Sequence, residues 1–164
     1  MYTVLRFLHV FSAFAFFLIH GATAAAMFAL KRERDAKRVE GWLIIRDFAT
    51  KWVGVPLAVL FISGIVMGFM GRWWNQTWIW LAIGVFLAIS FAMSGFGRPY
   101  HDRLWHAIDP QGHAPPTKKE KRRSSPATAE EIVGLLAKGR PLMLTVTGVV
   151  GLGVILWLMM FKPF

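Results

Sequence analysis

WVGVPLAVLFISGIVMGFMG, residues 52–71, is followed by the single basic residue Arg72 and then by WWNQTWIWLAIGVFLAISFAMSGFG, residues 73–97. Neither stretch contains an Asp, Glu, Lys or Arg. At 1.5 Å per residue a helix of about 20 residues crosses a hydrocarbon layer of roughly 30 Å. Backbone groups in lipid must satisfy one another within the segment. Continuous apolar runs of this length do so as helices, because barrel strands would alternate and be half as long. The two stretches therefore read as two membrane helices joined by the short turn Arg72-Trp73-Trp74-Asn75-Gln76-Thr77, an antiparallel hairpin.

Working outward, residues 7–30 and 141–161 have the same charge-free character. The expected fold is all-α: a single polytopic membrane domain over residues 1–164, with four transmembrane helices in an antiparallel bundle. The helices are expected at about 4–30, 50–71, 74–97 and 141–161. The composition agrees, with 55% apolar and 17% charged residues and a mean hydropathy of +0.47. No cysteine is present, so disulfides, thiolate metal sites and cysteine nucleophiles are excluded. The first run is not read as a secretory signal, since only Arg6 precedes it and Lys31, Arg32, Arg34, Lys37 and Arg38 follow.

The net charge of +10 is distributed by topology. Residues 31–51 carry seven Lys and Arg and residues 98–140 carry nine, against Arg6, Arg72 and Lys162 elsewhere. The positive-inside rule puts both long loops in the cytoplasm and both termini outside, in a bacterial cytoplasmic (inner) membrane. Trp42, Trp52, Trp73, Trp74, Trp78, Trp80 and Trp105 cluster at span ends, as an interfacial belt requires. Residues 110–127 read as a mobile basic cytoplasmic loop, because Pro115-Pro116 and the run Lys118, Lys119, Lys121, Arg122 and Arg123 cannot build a core. Those five basic side chains suit anionic lipid or a partner, at roughly 1 kcal/mol of attraction each near an anionic leaflet. No aromatic residues interleave with them, which excludes nucleic acid as the expected partner. Beyond the loop, Thr128 and Glu131 have capping-box spacing for a short helix, and Pro141 suits the first turn of the last span.

Helices in lipid approach through small residues, and Gly64 and Gly68 form a GxxxG face expected to pack within the bundle. The candidate site residues are His9 and His20, because ionisable groups inside a membrane are costly and often functional. They are eleven positions apart, three turns plus about 20°, and so share one helix face at depths differing by roughly 16 Å. One reading makes either the axial ligand of a b-type haem, alone or with Met67 or Met93. The other gives each imidazole a hydrogen bond to a neighbouring carbonyl or hydroxyl. Asp102, His106 and Asp109 would share a face if residues 99–109 are helical, which is thin support for a metal site. P-loop, GxGxxG, HExxH and nucleophile-elbow motifs are missing, and no catalytic constellation is found, so a non-catalytic role is expected.

The opening Leu5-Arg6-Phe7-Leu8-His9-Val10, the basic loop with Asp47-Phe48, and the pattern from Val55-Pro56 to Ser63-Gly64 resemble a family of small predicted bacterial integral membrane proteins of unknown function. The resemblance covers roughly residues 1–109. That group is similar to copper-resistance D-type membrane proteins and, more distantly, to HemJ-type protoporphyrinogen oxidases. HemJ-type enzymes carry a His in the corresponding motif of the first helix, which implies haem ligation at His9. The Lys that they carry in a later helix has no counterpart here, so oxidase activity is not implied. Two functions follow as expectations. The first is a non-catalytic accessory or assembly subunit of a larger respiratory or photosynthetic membrane complex, in contact with lipid and other membrane subunits. The second is a b-type haem protein in electron transfer or porphyrin handling.

Overall fold

The computed structural model describes residues 1–113, 115 and 117–163. The chain is all-α. Its helices are α1 (Tyr2–Leu30), α2 (Ala36–Trp52), α3 (Gly54–Met70), α4 (Thr77–Ile108), α5 (Ala129–Ala137) and α6 (Pro141–Phe161), with a 3-10 turn at Trp73–Asn75 between α3 and α4. α2 and α3 form one long rod broken at Val53, because Pro56 has no N–H to donate to the Trp52 carbonyl. Four helical stretches are long and apolar enough to cross a membrane: Tyr2–Leu30, Ala36–Met70, Thr77–Ile108 and Ala129–Phe161.

Three of these run well beyond their charge-free parts. α4 passes through Pro99 and continues to Ile108, where sequence reasoning ends the span near residue 97. Pro99 forgoes one hydrogen bond, to the Gly95 carbonyl. Burial of the last turns offsets that loss. Leu104 and Trp105 pack into a cluster with Leu30, Val39, Leu43, Ile132 and Leu136, which gathers α1, α2, α4 and α5 into a cap at one end of the molecule. α5 enters this cap through the Thr128–Glu131 capping box, in which the Thr128 hydroxyl accepts from the Glu131 N–H and the Glu131 carboxylate accepts from the Thr128 N–H.

The opposite end is rich in tryptophan. Trp78, Ile79 and Ala82 of α4 are buried against Ile155 and Leu158 of α6, with Trp73 and Trp74 packed on them. Between the two ends the helices associate in pairs: α1 lies along α2 and α3, and α4 lies along α6, while contact between α1 and α6 is thin. Small residues set the close approaches. A Cβ at Gly148 would meet the Met93 methyl, and one at Gly151 would run into Ile89. Large apolar side chains point outward along the whole length, with Phe14 66%, Leu18 74% and Phe91 76% exposed. A continuous apolar surface of this kind would aggregate in water and fits a lipid bilayer.

Candidate functional site: a cavity between the helix pairs

The thin contact between the pairs leaves a cavity of about 310 Å³ at the tryptophan-rich end. This is at the small end of the range for ligand sites. α1 contributes Arg6 and His9, α3 contributes Gly64 and Met67, and α4 and α6 supply an apolar wall that includes Ile79 and Ile155. Trp73, Trp74 and Trp78 also face it.

His9 is anchored by α3. Its Nδ1 lies 2.9 Å from the Leu60 carbonyl oxygen and 3.1 Å from the Ser63 hydroxyl oxygen. The Ser63 hydroxyl is itself 2.6 Å from the Val59 carbonyl, to which it donates. A carbonyl can only accept, so the Leu60 contact assigns the ring proton to Nδ1 and leaves the lone pair of the neutral ring on Nε2. Gly64 makes room for this ring, since a Cβ there would sit 3.1 Å from His9 Cε1. The second glycine of the GxxxG face, Gly68, lies against the Trp74 indole at 3.1 Å by the same measure. Both glycines therefore meet side chains of the same chain.

His20 lies away from this cavity. It stacks on Phe16, one turn back, at 5.6 Å between ring centroids. Its Nε2 faces Gly148 of α6, which Met93 of α4 also approaches. His9 and Met67 thus line one cavity, while His20 and Met93 meet at Gly148.

Basic groups rim the cavity. Lys162 follows α6 in a left-handed backbone conformation, φ 44°, unusual for a side chain other than glycine. Its ammonium sits over the Trp73 ring at 4.3 Å and the Trp78 ring at 5.6 Å from their centroids. All nine Asp and Glu lie between residues 33 and 131, in the two basic loops, so neither Lys162 nor Arg6 has a carboxylate side chain near it in sequence. In the sequence Arg6 and Lys162 carry a topological signal alone. Their meeting at one cavity spans almost the whole chain and has no local signal.

The cap end holds a second polar cluster, centred on Asp47. The Trp105 indole N–H donates to Asp47 Oδ2 at 2.7 Å, and Arg46 Nη1 lies 3.2 Å from Oδ1. His101 Nε2 lies 2.7 Å from Oδ1 without the geometry of a hydrogen bond, and burial lowers the pKa of this imidazole. This cluster ties α2 to the last turns of α4. Asp102 turns to His101 Nδ1 at 3.4 Å, and Asp109 accepts from the Gly112 N–H at 2.9 Å, which holds its carboxyl below the usual carboxylate range. His106 is buried. Its Nδ1–H donates to the His113 carbonyl at 3.1 Å and its Nε2 accepts from the Arg123 N–H at 3.4 Å. The face suggested by Asp102, His106 and Asp109 is thus spent on separate partners. Among the described residues no three His, Asp or Glu converge to hold a metal ion.

The basic run divides in two. Arg122 donates to the Pro110 and Gln111 carbonyls, and Arg123 pairs with Glu131 at 2.7 Å. Lys118, Lys119 and Lys121 are exposed.

No protein-family model, no curated protein and no solved structure matches this chain.

Proposed function

We propose that the chain is a multi-pass protein of the bacterial inner membrane that binds a b-type haem through His9 in the cavity between its helix pairs. The observation that carries this reading is the state of His9. With Nδ1–H committed to the Leu60 carbonyl, the ring is oriented and Nε2 is left as a ligand, the arrangement in which an imidazole binds iron. Met67, which lines the same cavity, would be a further candidate to hold the group. The aromatic and aliphatic walls would shield a bound haem from water, and the haem would supply one-electron chemistry. The positive-inside bias supports an orientation with both termini and the cavity on the outer side and the α5 cap in the cytoplasm. The contacts of Tyr2 with Trp73, and of Leu30 with Val39 and Leu43, favour antiparallel packing of α1 on the α2–α3 rod.

The test is the absorption spectrum of protein purified in mild detergent, before and after haem reconstitution. A Soret band that disappears in His9→Ala and persists in His20→Ala is the expected result. No Soret band in either preparation refutes the reading.

A second reading, the accessory or assembly subunit, is favoured by a different observation. Gly21 of α1 and Gly84 and Gly95 of α4 face open space, with nothing within 4 Å of an added Cβ. Such positions allow another helix to approach closely. Co-purification of other membrane subunits from native membranes, lost in Gly84→Leu, is its test.

A further inference from the structure

We infer that the cavity between the helix pairs takes an amphipathic anion, whose carboxylate or phosphate is held at Arg6 and Lys162 and whose apolar body lies against Trp73, Trp78 and Ile79. The inference rests on the reading that this cavity is a binding site, but not on iron coordination by His9.

Three observations carry it. The cavity wall is apolar and aromatic, while its rim holds two cations, Arg6 from α1 and Lys162 from the end of α6. No Asp or Glu lies anywhere before residue 33 or after residue 131, so the chain places no carboxylate side chain beside either cation in sequence, and neither forms an ion pair among the described residues. Lys162 is exposed, yet its side chain is held at the cavity by aromatic contact. Its left-handed backbone turns the chain at the end of α6, and its ammonium rests on the Trp73 and Trp78 rings that line the cavity. A cation seated on two aromatic faces keeps its N–H groups on the far side available to an anion. An uncharged apolar ligand would fill the walls and leave both cations unused, and a small inorganic anion would use the cations and leave the walls empty. An amphiphile with an acidic head satisfies both.

Two ligand sources share this chemistry, a carboxylated tetrapyrrole and an acyl lipid with an acidic head. Two titrations in neutral detergent separate them. One compares haemin with its dimethyl ester, read at the Soret band. The other compares a dibrominated fatty acid with its methyl ester, read as quenching of tryptophan fluorescence. In each pair esterification removes the negative charge and adds only methyl groups to the apolar body.

In at least one series the acid binds about tenfold more tightly than the ester, as one charge-assisted hydrogen bond predicts. The preference collapses in the double variant Arg6→Gln, Lys162→Gln and survives in Lys162→Arg, which retains the charge. Acid and ester binding alike in both series, a preference that survives the double variant, ester binding lost with acid binding in that variant, or no binding in either series overturns the inference. An acid preference confined to the fatty-acid series, with no porphyrin binding, removes the haem reading and leaves the anion site standing. Porphyrin binding that depends on His9 but not on the carboxylates does the reverse.

Discussion

Removal of the Asp47 carboxylate is expected to loosen the cap through one identifiable bond. The Trp105 indole donates to Asp47 Oδ2 at 2.7 Å, and Trp105 is only 8% exposed, so its N–H has no ready replacement in water. A hydrogen bond to a charged acceptor contributes about 1.5–3 kcal/mol. Asp47 is 40% exposed, and solvent screening places the coupling at the lower edge, about 1.5 kcal/mol. Asp47→Ala also strips Arg46 of its partner, and the Arg46 side chain is 13% exposed. The single substitution should therefore cost more than the coupling alone, about 2–4 kcal/mol. A double-mutant cycle separates the two. Stability is measured by titration with denaturing detergent for wild type, Asp47→Ala, Trp105→Phe and the double variant, using far-UV circular dichroism. A coupling energy near 1.5 kcal/mol is expected. A value below about 0.5 kcal/mol would show that the bond contributes nothing beyond packing, and the reasoning fails.

Three further outcomes are expected. Leu104→Ala, at a side chain 1% exposed in the cap, should cost about 3 kcal/mol in the same titration, and a loss under about 1 kcal/mol would show that the cap is not packed as described. Gly64→Val should push a branched side chain into the His9 ring, cost about 1–3 kcal/mol and abolish haem uptake, while Gly64→Ala stays near neutral because better helix propensity offsets the tight contact. Since the chain has no cysteine, single cysteines report topology cleanly. An impermeant maleimide should label Asn75→Cys on intact cells and Ser124→Cys only after permeabilisation, and the opposite pattern reverses the assigned orientation.

The four membrane-length helices are legible in the sequence because a desolvated backbone has one solution, and a charge-free run of about 20 residues selects it. The start of α5 is legible for a local reason, since Thr128 and Glu131 satisfy each other across three residues. The pairing of helices is not. Lipid and bundle interior are equally apolar, so Phe14, which faces outward, and Ile79, which faces α6, look alike in sequence. Of the site, His9 stands out by its chemistry, but its partners Leu60 and Ser63 are more than fifty residues away. The same distance hides Asp47 as the acceptor for Trp105, and the gap between Arg6 and Lys162 is three times as long. Pro99 marks a helix boundary in sequence, and only the burial of Leu104 and Trp105 explains why α4 ignores it.

α4 is one rod that takes part in both ends of the molecule. Ile79 belongs to the cavity wall and Leu104 to the cap, and the 25 residues between them span about 38 Å of helix. A straight helix that tilts at one end moves at the other. A force on α4 at the tryptophan-rich end would act as on a lever, with a weakened joint at Pro99, where one hydrogen bond is missing. The far arm of that lever carries Trp105 and His106, and with them the Asp47 clasp and the anchor of the basic loop. A change of tilt at one end of α4 would reach the other end only as far as the helix stays straight through Pro99.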